Sequence, residues 1–432
     1  MAPMSWNALL SPTRLCRPAG KPSPTRSPFQ QDADLVVFSA AFRRLQDKTQ
    51  VQPLTVGGQV RTRLTHSIEV ASVGRSLGTA VAHGLAERRG LDGEQCHAMA
   101  AVVHAACLAH DIGNPPFGHG GEDAIKGWFV AHPEVLRGVP AEDAADLCCF
   151  EGNAQGFRIL TQLENYRFEG GLRLTHATLG AFLKYAVRAH ARVDGAPELG
   201  RRKPGYFGTE QAYVDELRAS LGVPEGTRHP LVYLTEAADD ICYAIVDLED
   251  GHDAGLVDYR DAVDVLTEIA AIPSDPRLGR DAQLHKLRGV AIGRLVDAVA
   301  QAFLEAEPQL LRAEAVAELL DLTRFGSSIA RAKALAAERI FAAPSVVERL
   351  IGGQRVLSRL LDALYPVVDA LEVVDFDRRA LTGQPRALAQ LLGEGYAPRC
   401  RTTALLGLTD FVSGQTDRAA VQLAQRLWGT GL

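Results

Sequence analysis

The 432-residue chain contains no Cys-x-x-Cys pair, and its seven cysteines are odd in number and set mostly among apolar neighbours. A disulfide framework is therefore not its organising device. Buried, reduced thiols of a cytoplasmic protein are expected, with a redox role for the adjacent Cys148 and Cys149 as the alternative. No apolar run approaches the roughly 18 residues of a membrane-spanning helix, so no membrane partner is expected. Residues 1–28 carry Arg and Pro without a continuous apolar centre, which argues against a secretory signal. A large excess of one charge is missing too. The formal net charge of -6 argues against binding nucleic acid chiefly through charge, although a local basic pocket remains compatible with it. Strand-type alternation is scarce, and no repeat, low-complexity tract or sharp composition shift divides the chain.

What is present is helical patterning around one broken turn. A hydrophobic content of 47% with 23% charged residues is ordinary for a soluble globular protein. Residues 1–30, rich in Pro, Ser and Arg, read as a flexible or surface-wrapped arm. Val36, Val37, Ala40, Ala41 and Leu45 predict a helix over 33–49. Pro53 and Gly57-Gly58 predict a loop over 50–61, after which Thr65 or Ser67 could cap a helix carrying His66 at its start. Residues 98–108 are apolar on most faces and predict a buried helix. It delivers His110-Asp111 to the Gly/Pro-broken turn 113–118, and a further helix is expected beyond Gly121 with Glu122 in its first turn. Further helices are expected over 158–163 and 175–191, then a basic loop with Arg201-Arg202-Lys203, then a buried helix over 229–247. From Tyr259 onward the pattern is amphipathic helix, with breaks near Pro273, Gly326 and Pro344. The expected fold class is all-α, with any strands short and peripheral.

The chemistry-bearing residues sit on these predicted helices. Asp239, Tyr243 and Asp247 recur every four residues and share one face among Ala, Ile and Val. Carboxylates on so apolar a helix need charged partners, which a salt-bridge network or a metal would supply. His66, His110, Asp111 and Asp239 together would make the ligand inventory of one divalent cation. Two imidazoles and two carboxylates suit Mn, Fe, Co, Ni or Zn and, less well, Mg. Such an ion would polarise a phosphoryl group and lower the pKa of water.

The ordered series His…His-Asp…Asp on helices is the signature of the HD-domain metal-dependent phosphohydrolases. Five further stretches narrow the resemblance: Phe42–Gln50, Arg63–Val70, His110–His119, Phe150–Gln155 and Glu236–Tyr243. These, with the late segment Asp410–Arg418, resemble the deoxyguanosinetriphosphate triphosphohydrolase (dGTPase) family from about residue 30 to the C-terminus. That resemblance implies an HD-type core over 31–258, with a helical C-terminal region over 259–432 packed on it. It implies hydrolysis of a deoxynucleoside triphosphate, dGTP or several dNTPs, to deoxynucleoside and inorganic triphosphate.

The resemblance also implies roles. His66, His110, Asp111 and Asp239 match the metal ligands, with Mn or Mg the expected ion and Fe, Co, Ni or Zn as alternatives. His119 matches the catalytic histidine, and Glu122 would hold its second nitrogen. Arg63 matches a phosphate-binding arginine, Gln50 a residue near the deoxyribose, and Tyr243 and Asp247 residues against the sugar. Lys203 and Tyr206 resemble the phosphate-side loop. Asp240 is expected to pair with Arg or Lys. Leu35 and Gln415 depart from the family pattern without touching the proposed ligands. A homo-oligomer (a hexamer in this family), an activating dNTP at a second site and weak single-stranded DNA binding are further expectations. Whether His119 acts as general acid or as nucleophile stays open at this level. The rival functions are another HD-type nucleotidase or phosphodiesterase, or a nucleotide sensor without turnover.

Overall fold

The computed structural model describes residues 3–17, 25–50, 61–196, 199–275 and 277–430. Among them the fold is all-α; strand pairing is confined to isolated bridges such as Thr49 with Thr62. No helix among the described residues is long and apolar enough to cross a membrane. The loop expected over 50–61 lies, for residues 51–60, outside the described chain.

Two helices form the spine. Arg63–Arg89 is capped by Thr62 rather than by Thr65 or Ser67, because the Thr62 and Thr65 side chains close a reciprocal capping box. Gly90, at φ 73°, ends the helix, and the chain returns as Gly93–Ala109. The two lie antiparallel and very close. Beside Gly78 a methyl group would come within 2.9 Å of the Ala100 Cα, so the contact needs a residue without a side chain. Val232–Asp253 packs across both helices, and its buried residues include Ile241, Ile245 and Leu248. Tyr259–Ala270 and Arg280–Leu311 complete this first hydrophobic core.

A second core joins the segment around residues 117–154 to the C-terminal helices. Phe117, Ile125, Trp128 and Phe129 pack with Leu357, Leu360 and Leu361 and with residues up to Ala424. The helix Pro344–Leu364 therefore buttresses His119–Ala131, the helix that follows the Gly/Pro turn, and is itself backed by Arg401–Ser413 and Asp417–Leu427.

Three local expectations are corrected. The described part of residues 1–30 is not a loose arm: Met4, Trp6, Leu9, Leu10 and Leu15 are buried, and the Trp6 indole donates to Glu307 at 3.0 Å. The helix expected over 33–49 is broken at Ser39, whose hydroxyl caps the next short helix. The helix expected over 175–191 stops at Phe182. Beyond it the backbone finds its partners in the 200–205 loop, Ala186 donating to the Gly200 carbonyl and Gly205 to that of Val187. Tertiary hydrogen bonds override the helical pattern there and turn Lys184 and Tyr185 toward the site.

The Gly113 turn is seated directly on the helix Gly152–Arg158. A Cβ at Gly113 would run into the Gly152 carbonyl and the Gly156 amide. Gly113→Ala is therefore expected to lower unfolding free energy by about 1–3 kcal/mol, the usual range for overpacking. Urea titration of the two proteins checks this.

Candidate functional site

His66 lies in the first turn of Arg63–Arg89, His110 ends Gly93–Ala109, and Asp239 sits on Val232–Asp253. The three helices bring one ligating atom of each residue within 4.8 Å of the others. His66 Nε2 stands 3.0 Å and His110 Nε2 3.5 Å from Asp239 Oδ1. His110 Nδ1 is held by the Cys107 carbonyl at 2.7 Å, which commits Nε2 to the centre. That Nε2 is buried and makes no hydrogen bond among the described residues. Burial opposes ionisation of Asp239, yet the flanking imidazoles hold its carboxyl well below the usual carboxylate range. A nitrogen–nitrogen–carboxylate set with an orphaned buried imidazole fits a divalent cation.

Asp111 adjoins this group rather than completing it. Its Oδ2 accepts from the buried Arg63 guanidinium at 2.7 Å, and its Oδ1 accepts from the Asn114 side chain and lies 3.6 Å from His110 Nε2. A guanidinium this deeply buried requires a carboxylate, and Asp111 is the one in reach. Arg63 thus meets Asp111 where the sequence pointed to phosphate. Asp240 pairs with Lys333 at 3.0 Å, as expected of a carboxylate beside a ligand.

The turn then delivers the second pair. Phe117 and Gly118 both have positive φ, 64° and 57°, and His119 opens the next helix. Its Nδ1 meets Glu122 Oε2 at 2.9 Å, while Glu122 Oε1 accepts from the Gly152 amide at 2.7 Å. Glu122 is buried, but 83% of the His119 side chain is exposed to the open cavity. The hydrogen bond to Glu122, against the pull of burial, raises the His119 pKa above that of an ordinary imidazole. The partner shifts the other way: despite burial, His119 keeps the Glu122 carboxyl low.

Both pairs line one cavity of ≈ 370 Å³. Gln50, Arg63, Lys203 and Tyr243 also line it. Tyr206 does not: it is buried in the first core, with Arg218 5.9 Å over its ring. Tyr185 stands in the cavity instead, with the Lys184 and Lys203 ammonium groups each 5.9 Å from its ring centre. Asp247 is also outside the cavity lining. It is 2% exposed, and burial together with Asp250 and Asp239 pushes its carboxyl well above the usual range.

Sequence reasoning missed Lys184, Tyr185, Glu151 and Phe341. Glu151 lies beside Glu122 and holds Lys203 at 3.2 Å; burial, then the Glu122 charge, raises its pKa. Lys184 is held by Glu236 at 3.7 Å, and despite burial both lysine pKa values are raised by these carboxylates, so both stay charged at neutral pH. Phe341 stacks on Tyr243 with ring centres 5.7 Å apart. Only a Lys-Tyr dipeptide inside a misread helix signalled the first two.

An all-α fold in which His66, His110 and Asp239 converge, with Asp111 beside them, defines an HD-domain protein, and the HD domain family matches residues 63–146. Similarity extends well beyond that span. The chain is 40% identical over 450 residues to a deoxyguanosinetriphosphate triphosphohydrolase-like protein of Pseudomonas aeruginosa, covering 99% of both chains. It is 39% identical over 452 residues to a protein of the same description from Synechocystis sp., covering 99% of this chain and 100% of that one. A deoxyguanosinetriphosphate triphosphohydrolase of Yersinia pestis is 33% identical over 413 residues, covering 82% of this chain and 80% of its own. The chain belongs to the deoxyguanosinetriphosphate triphosphohydrolase-like family of HD-domain proteins.

Proposed function

We propose that the protein is a metal-dependent dNTP triphosphohydrolase, cutting a deoxynucleoside triphosphate into deoxynucleoside and inorganic triphosphate. The observation that carries this reading is the meeting of three elements in one cavity. These are the His66–His110–Asp239 cluster, the His119–Glu122 pair, and two charged lysines on Tyr185. A divalent ion held by His66, His110 and Asp239, with Asp111 alongside, would supply Lewis-acid polarisation of the phosphoryl group and acidify water.

The chain's own residues do the rest. Lys184 and Lys203 offer positive charge to the polyphosphate, and Lys203 exchanges its Glu151 contact for a phosphate oxygen. Tyr243 and Gln50 line the part of the cavity available to the sugar. Glu122 binds His119 at Nδ1, which leaves Nε2 as the atom free to act. The Glu122 carboxylate favours the protonated ring, and that nitrogen, when it holds a proton, donates it to the departing 5′-oxygen.

The test is product identification with each dNTP singly, in Mn and in Mg. Inorganic triphosphate and deoxynucleoside are expected in equal amounts. Release of orthophosphate or pyrophosphate would assign the protein to another HD-type nucleotidase, and binding without turnover to a sensor.

A further inference from the structure

The late segment Asp410–Arg418 supplies no group to the proposed chemistry, yet it reaches the site. Asp417, the first residue of its helix, is 2% exposed. One carboxylate oxygen accepts from the Phe117 amide at 2.9 Å. The other accepts from the Thr49 amide at 3.1 Å and the Thr49 hydroxyl at 2.7 Å. Beside it the buried Lys48 side-chain nitrogen donates to the carbonyls of Asn114 and Ser413, and the Lys48 carbonyl accepts the Arg63 amide at 2.9 Å. The Asp417 and Lys48 side chains thus staple together three segments far apart in sequence: 48–50, 114–118 and 413–417.

Two of the stapled residues, Thr49 and Phe117, themselves line the cavity wall. Thr49 precedes Gln50, and Phe117 comes two residues before His119. Phe117 holds a left-handed φ of 64°, a conformation that a side chain bearing a Cβ resists and that surrounding contacts must impose. Two contacts impose it here. The Phe117 amide is bound by Asp417, and the Phe117 ring fills the place where a Cβ on Gly353 would stand.

We infer that Asp417 is a positioning residue of this site. Through Phe117 it fixes the direction from which His119 enters the cavity, and through Thr49 it fixes Gln50. Its kinetic part rests on the hydrolase reading; its structural part does not.

Asp417→Asn keeps the shape of the side chain but places an amide donor where a donor already points. The folded variant is expected to lose kcat by about 10–100-fold, the scale of a small misplacement at a reacting centre. Substrate KM stays within about threefold, because ground-state contacts survive. Metal content is retained. Amide exchange in peptides covering 47–50 and 114–118 is expected to speed up while other helices keep their protection. Gln415→Met, on the same segment, is expected to change neither readout. Unchanged exchange at both peptides overturns the inference, as does a kcat loss equal to the loss of folded protein. If Asp417→Asn does not fold, Thr49→Val removes one of the three donors from the other side. Faster exchange confined to 47–50 then supports the staple, and unchanged exchange there rejects it. A wild-type protein that cuts no dNTP would sink the hydrolase reading, while the exchange data would still decide the staple.

Discussion

His119→Gln is expected to lower turnover by about 100–10,000-fold, the range for loss of a positioned general acid, with divalent-ion content unchanged. The side chain is not in the His66–His110–Asp239 cluster, so binding of the ion and chemistry separate cleanly in this variant. Its pH dependence carries the sign of the mechanism. The Glu122 hydrogen bond raises the His119 pKa. A proton donor therefore stays active to higher pH than an ordinary imidazole would, and the rate falls as pH rises through that raised value. Glu122→Gln removes the negative charge and should move this alkaline limb to lower pH. A nucleophilic His119 needs a neutral Nε2, so its rate would climb over the same window. A pH profile of kcat that rises where a fall is expected would reject the proton-donor role.

The same pair bears on folding, with opposite limits. The raised His119 pKa contributes stability that is complete below the ordinary imidazole range and is lost as pH rises through the folded value. The lowered Glu122 pKa contributes stability that is complete above the ordinary carboxylate range and is lost as pH falls through the folded value. The pair thus supports the fold between those limits. Because His119 is mostly exposed to solvent, screening keeps this contribution small.

The His66–His110–Asp239 cluster was legible in the sequence because each of its residues sits at a fixed place on a strongly patterned helix. His110 follows an apolar run whose burial is dictated by composition, and Asp239 interrupts another. Glu122 was legible for a similar reason, three residues beyond His119 in the first turn of a helix. The other wall was not, because its geometry is tertiary. Lys184 and Tyr185 leave their helix only through hydrogen bonds to the 200–205 loop, and nothing in the 175–191 pattern records that exchange. Tyr206 was carried over from the family's phosphate-side loop by resemblance, yet its ring is committed to the core. The N-terminal residues misled through composition: Trp6, Leu9 and Leu15 are too few among Pro, Ser and Arg to show a period, but each is buried. Asp417 shows the same limit, since all three of its donors lie about 300 residues or more away.

Asp239→Ala and Asp111→Ala are expected to fail in different ways, although both remove a carboxylate from the same few ångströms. Asp239 faces the two imidazoles and little else, so its loss should abolish ion uptake and turnover together. In the wild-type protein, a free-ion concentration of 100 times Kd should raise stability by about 2.7 kcal/mol. In Asp239→Ala the same titration should leave the thermal midpoint where it was. Asp111 also neutralises Arg63, which is 8% exposed. Removing that partner strands a buried charge, which typically costs about 3–5 kcal/mol. Asp111→Ala should therefore unfold earlier than wild type even with the ion chelated, whereas Asp239→Ala should lose mainly the ion-dependent increment. Adding Arg63→Met to Asp111→Ala removes the stranded charge and should restore much of the lost stability without restoring turnover. Ion content by mass spectrometry and thermal unfolding with and without chelator decide the matter. Wild-type ion content in Asp239→Ala would show that the cation sits elsewhere, and equal chelated stability of Asp111→Ala and wild type would show that Arg63 does not depend on Asp111.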